Sequence, residues 1–143
     1  MILLAKRCDP RPLPTPQTLV QKQGLRYERK VVRALKIRGC DLEHNPWFQK
    51  PDGSFCCPDI IVYELNLGRA IVVEVKLTYT PEALEKLNLV YCPIVASVTG
   101  LKTKPLVIVK HSKGHMVKFQ SSFWDTINFH PPVYLWPGIG PIT

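Results

Sequence analysis

No stretch of the 143 residues is apolar for long enough to cross a bilayer: runs such as Ala70–Val73 fall far short of the roughly 20 residues a spanning helix needs. A signal peptide is lacking too, because the apolar Met1 to Leu4 is followed at once by Lys6, Arg7 and a series of prolines, so an intracellular (cytoplasmic) location is expected. Cysteine has no pattern. Cys8, Cys40, Cys56, Cys57 and Cys92 are odd in number and include no C-x-x-C, which argues against a disulfide framework, a zinc site or an iron–sulfur cluster and leaves free, mostly buried thiols. His44, His111, His115 and His130 lack the H-E-x-x-H spacing of a zinc hydrolase and receive no metal role. Acidic residues are scarce, 11 against 19 Lys and Arg, and the resulting formal charge of +8 favours a polyanionic partner. Internal repeats and low-complexity tracts are absent, and the length suits one compact domain.

What is present begins with an arm. Pro10, Pro12, Pro14 and Pro16 alternate within residues 1–20, which excludes a helix or an inner strand and predicts an extended segment. Such an arm either touches a partner subunit or nucleic acid through Lys6, Arg7 and Arg11, or is a loose end. From Gln21 to about Arg38 there is no proline, good helix formers prevail, and Gly39 supplies a stop. At 100° per residue Tyr27, Val31, Val32, Ala34 and Leu35 share one side with Glu28, while Lys22, Arg26, Arg29, Lys30, Arg33 and Lys36 gather on the other. A carboxylate on the apolar side is costly unless it meets a cation or a metal.

Strands are expected at about Asn45–Gln49, Asp59–Glu64 and Arg69–Leu77, separated by the turn sequences Pro51-Asp52-Gly53-Ser54 and Asn66-Leu67-Gly68; together they read as an antiparallel meander. Thr80-Pro81-Glu82 opens a second helix to about Leu89 or Val90, Leu106–Lys110 reads as a fourth strand, and Met116–Phe119 as a short partner for it. Residues 123–143, with Phe123, Trp124, Phe129, Tyr134 and Trp136, are too apolar for a free tail and should pack on the core or on a dimer partner. The fold class is therefore α/β or α+β: a mixed central sheet of four to five strands flanked by helices, with residues 21–122 as its core.

Within Arg69–Leu77, alternation puts Ile71, Val73, Val75 and Leu77 on one face and Val72, Glu74 and Lys76 on the other. A Glu and a Lys together can be a simple ion pair at a sheet surface. Asp59 makes more of them: a short turn and antiparallel pairing bring its carboxylate toward Glu74. Two carboxylates that close repel unless a positive ion lies between them, and hard oxygen donors suit Mg2+ or Mn2+. Lys76 would then border the ion and orient or help deprotonate an attacking water.

Pro58-Asp59, fourteen intervening residues and Glu74-Val75-Lys76 make a pattern that resembles the PD-(D/E)xK nuclease superfamily. Gly24-Leu25-Arg26-Tyr27-Glu28 also looks like the start of that family's first helix, so the resemblance spans roughly residues 24–110. It implies a restriction-endonuclease-like core, a metal held by Asp59, Glu74 and the carbonyl of Val75, a water positioned by Lys76, and a Glu28 that holds a second metal, a water or Lys76. Small phage nucleases, archaeal Holliday-junction resolvases and RecB-like nucleases are the branches it brings to mind; the stretch Lys86–Tyr91 has the Tyr of the RecB-like pattern but not its Gln.

DNA is the expected partner. The cationic stripe of the first helix, with Lys50 and with Lys102, Lys104, Lys110 and Lys113 in the loops, would neutralise backbone phosphates without reading sequence. Trp47 and Phe48 suit either base stacking or the core. The expected activity is thus Mg2+- or Mn2+-dependent hydrolysis of DNA by a structure-selective or sequence-independent endonuclease, with a homodimer plausible. The alternative is a non-catalytic nucleic-acid-binding protein or an accessory subunit on the same fold.

Overall fold

The computed structural model describes residues 4–111 and 122–143. In chain order these form β1 (Lys6–Arg7), α1 (Leu19–Ile37), β2 (Asp41–His44), β3 (Phe48–Gln49), β4 (Phe55–Cys56), β5 (Ile60–Glu64), β6 (Arg69–Thr78), α2 (Pro81–Lys86), α3 (Cys92–Thr99), β7 (Lys102–His111), α4 (Phe123–Thr126) and β8 (Val133–Leu135). Five strands make one mixed sheet in the order β2-β5-β6-β7-β8, antiparallel from β2 to β6 and parallel from β6 to β8; a smaller antiparallel sheet has the order β1-β3-β4. The α/β class with a five-stranded mixed sheet holds, and the small second sheet adds to it.

Helix α1 starts where Thr18 caps it. The Thr18 hydroxyl accepts from the Gln21 N–H while the Gln21 side chain accepts from the Thr18 N–H, a reciprocal capping box. Its apolar side lies on one face of the large sheet: Tyr27, Val31, Val32 and Leu35 pack with Ile60, Val62, Ile71, Val73, Leu106 and Ile108. The opposite face of the sheet, Ile61, Ala70, Val72, Val107 and Val109, is covered by Ala83, Leu87, Tyr91 and Val95 of the helical crossover from β6 to β7. Burial on both faces explains why β6 reads as a nearly unbroken apolar run; each fully buried Ile or Val there contributes roughly 1.5–3 kcal/mol.

Several elements differ from the sequence expectation. Of the expected meander the antiparallel β5–β6 pair holds, but its first strand is different: β2, which the pattern did not reveal, lies beside β5, and Phe48–Gln49 leaves for the small sheet. The cause is local. Asn45 adopts a left-handed conformation (φ 52°), which Asn tolerates, and Pro46 has no N–H to donate, so the ladder cannot run on past His44. The Pro51–Ser54 turn does close a hairpin, but between β3 and β4, with Asp52 Oδ1 accepting from the Ser54 N–H at 2.8 Å and Gly53 at φ 89°. The second helix does not end near Val90. Residues 87–91 form a π turn in which the Cys92 N–H reaches the Leu87 carbonyl, and α3 then accommodates Pro93 in its first turn.

Strand β7 also starts four residues earlier than expected and contains Pro105. On the β8 side the Val107 N–H donates to the Pro132 carbonyl, so the nitrogen of Pro105, two residues back, faces the same side beyond the end of β8, where no ladder bond is lost. The expected strand Met116–Phe119 falls outside the described residues.

Both chain ends are tied down. In the arm β1 pairs with β3, Arg7 donates to both Glu43 oxygens at 2.9 and 2.8 Å and to the Tyr63 hydroxyl, and the Arg11 guanidinium stacks 3.8 Å from the Phe55 ring centre. Among residues 123–143, Phe123, Tyr134, Trp136 and Ile142 enter the α1-side core and β8 completes the sheet. All five cysteines are free, with Cys56 and Cys92 buried. No helix among the described residues is long and apolar enough to cross a membrane.

Candidate active site

The register of β5 against β6 pairs Ile60 with Val73, so Asp59, one residue earlier, stands opposite Glu74. Asp59 Oδ2 accepts the Val75 backbone N–H at 2.8 Å, which locks the carboxylate against β6. Burial, then the charge of Glu74, raise the Asp59 pKa well above the ordinary carboxylate value. Glu74 is 5% exposed, and its Oε2 is buried without a hydrogen-bond partner. A buried carboxylate beside a second one, with one oxygen lacking a hydrogen-bond partner, is an arrangement that a positive charge would relieve.

Asp59 lines a cleft of about 940 Å³ whose other walls include Glu28 and Arg29 of α1, His44 and Asn45 at the end of β2, Cys57, and Lys76, exposed on β6. Glu74 does not line the cleft and sits behind Asp59. Residues 13–18 of the arm close one side of it. The structure thus brings Glu28, Asp59, Glu74 and Lys76 to one place. Glu28, however, meets neither Lys nor Arg: its Oε2 lies 2.7 Å from Nε2 of His44. The Glu28 side chain is 15% exposed, so His44 provides the polar partner that its place on the helix requires.

Two residues of the site, His44 and Cys57, carried little sequence signal. His44 shows no ligand spacing; only a strand at Asp41–His44, pairing His44 with Ile60 beside Asp59, would have brought it here. Cys57 carries a thiol that burial, then Asp59 and Glu28, push up to about 12, so it remains a neutral thiol rather than a nucleophile. Tyr91, in the π turn, is buried on the Glu74 side, and its hydroxyl pKa is raised by burial, then by the charges of Glu74 and Asp59.

The cationic stripe is split. Lys22, Arg26, Arg29, Lys30, Arg33 and Lys36 are all exposed, but only Arg29 lines the Asp59 cleft. Arg26 and Lys30 line a separate cavity, and Arg33 and Lys36 a shallow hollow farther along α1 with Arg29 at its edge. Lys50, on the β3–β4 turn, lines neither the cleft nor that cavity, and Phe48 is fully buried core.

Among the described residues no three His, Cys, Asp or Glu side chains gather closely enough to hold a metal ion. A divalent ion here would rest on Asp59, Glu74, the Val75 carbonyl and water, the sparse oxygen set that suits Mg2+ or Mn2+. The orphaned Glu74 oxygen and the raised pKa of the neighbouring Asp59 fit such an ion. No family model and no curated protein matches this chain.

Proposed function

We propose that this protein is a metal-dependent deoxyribonuclease that hydrolyses DNA phosphodiester bonds, on a core of the PD-(D/E)xK kind. The observation that carries the reading is Asp59, backed by the buried Glu74, lining a cleft that Lys76 also lines. Asp59, Glu74 and the Val75 carbonyl would hold Mg2+ or Mn2+, which when bound supplies the positive charge that polarises the phosphodiester. The Val75 N–H fixes the Asp59 carboxylate, so that its free oxygen is presented without a rotamer search. Lys76 donates to a non-bridging phosphate oxygen or orients the attacking water, and the Glu28–His44 pair keeps the cleft wall polar and in place. The arm limits solvent at the cleft on one side.

Single-stranded, duplex, flap and four-way DNA, each incubated with Mg2+ and with Mn2+, test the reading. Glu74→Ala and Lys76→Ala should each lower cleavage by about 10²-fold or more while leaving DNA binding largely intact. Full activity in either variant overturns the assignment. One observation favours the second reading, a DNA-binding protein without catalysis: the lack of a three-ligand cluster among the described residues. That reading predicts salt-sensitive binding and no cleavage with either metal.

A further inference from the structure

On the other flank of α1 from the Asp59 cleft lies a cavity of about 480 Å³. Three elements converge on it: Gln23, Arg26 and Lys30 from α1, Thr78 from the end of β6, and Lys110 and His111 from the end of β7. Among the described residues the lining holds no Asp or Glu, so three permanent cations face one hollow without a neutralising partner among them. Like charges that converge repel, and a fold tolerates this where an anion is the intended occupant. Gln23 and Thr78 add neutral donors, which complete the set that a phosphate's several oxygens require.

The position relates this cavity to the proposed reaction. The cavity opens at the C-terminal ends of the parallel strands β6 and β7, where open α/β sheets bind ligands, and the Asp59 cleft is lined by Lys76 near the same end of β6. Lys76 lines one and Thr78 the other, two residues on along the same strand, so one strand links the two hollows. The cavity also divides the cations of α1 into two groups that a uniform basic stripe would not have: Arg26 and Lys30 belong to it, and Lys36 does not.

We propose that this cavity is a phosphate-binding site, which takes a phosphate of the same DNA strand whose neighbouring phosphodiester lies at Asp59 and Glu74. The proposal rests on the nucleic-acid reading of that site, but its test does not require cleavage. The phosphate is either internal to the strand or its terminal group; both have the same chemistry, and the assay separates them.

The probe is a short fluorescent single-stranded oligodeoxynucleotide, prepared with and without a 5′ and a 3′ terminal phosphate, and its binding is followed by anisotropy against the full chain carrying Glu74→Gln. Lys30→Gln and Lys110→Gln are compared in that background with Lys36→Gln, which removes the same charge from α1 outside the cavity. Loss of about tenfold in affinity at Lys30 and Lys110, against a much smaller loss at Lys36, supports the proposal. The slope of log K against log salt should fall by about 0.7 with each cavity lysine removed. A loss seen only with a terminal phosphate identifies the end group as occupant, and one seen with every oligonucleotide identifies an internal phosphate. Equal losses at all three lysines, or none, overturn it. Wild-type cleavage is scored separately, so a protein that binds through Lys30 and Lys110 but never cuts would retain this site and lose the nuclease reading.

Discussion

At the level of single residues, the candidate site is governed by the mutual influence of Asp59 and Glu74. Asp59 has its pKa raised by burial and by Glu74, so in the absence of a divalent ion the folded protein binds a proton there more tightly than the unfolded chain does. The native state then holds more protons than the unfolded state as pH climbs from the ordinary value of 3.8 toward the raised one, and stability falls across that window. Asp59→Asn removes the repulsion, keeps an oxygen to accept the Val75 N–H, and offers an amide that can donate to Glu74. Its melting temperature at neutral pH, measured with a chelator present, should exceed that of the wild type by about 2–4 °C for each kcal/mol relieved. Mg2+ or Mn2+ should raise the melting temperature of the wild type and have little effect on the variant; a lower melting temperature for Asp59→Asn would contradict the account. The Asp59–Glu74 contact was legible in the sequence because a strand's period of two and a short turn left little choice of partner. The Glu28–His44 contact was not, because it joins a helix to a strand through tertiary packing alone.

At the level of elements, the pattern of the sequence fails where elements are short, at an edge or irregular. Strand β2, Asp41-Leu42-Glu43-His44, is an edge strand with three polar residues in four, and charge at an edge hides the very signal that marks inner strands. Pro93 reads as a helix stop, yet the π turn before it carries the crossover on to Thr99. The arm reads as a loose end rather than a strap, because its anchoring depends on Glu43, a β2 residue. Burial opposes ionisation of Glu43, but the hydrogen bonds from Arg7 and Tyr63 outweigh it and hold its pKa below the ordinary value. Arg7→Ala removes that anchor. Because both partners are well exposed, the global cost should be no more than about 1 kcal/mol. The local cost is larger in kind: limited proteolysis within residues 8–17 should accelerate severalfold while the melting temperature hardly moves. Unchanged proteolysis would mean that β1 and the Arg11–Phe55 contact suffice to hold the arm.

At the level of the whole molecule, the C-terminal segment decides whether the protein is a core with an appendage or one cooperative unit. Composition alone showed that residues 123–143 must be covered, but not by what; the partner could have been this chain or a second copy. In the fold they supply the fifth strand of the sheet, and the Tyr27 hydroxyl of α1 donates to the Trp136 carbonyl at 2.8 Å, tying first helix to last strand across 109 residues. Phe123 is fully buried, with Trp124 and Tyr134 edge-on at 4.9 and 5.6 Å between ring centres. Its replacement by Ala should therefore cost about 3–5 kcal/mol, a large part of the stability of a domain this size. If the segment is integral, the loss appears as one transition at lower temperature, with helix and sheet content by circular dichroism and tryptophan fluorescence falling together. An appendage would instead melt first: fluorescence from Trp124 and Trp136 would change while the far-ultraviolet signal of α1 and the sheet stayed intact. Coincident curves would also tie the candidate site to this distant segment, since α1, which carries Glu28 and Arg26 on its two flanks, rests on the core that Phe123 helps to fill.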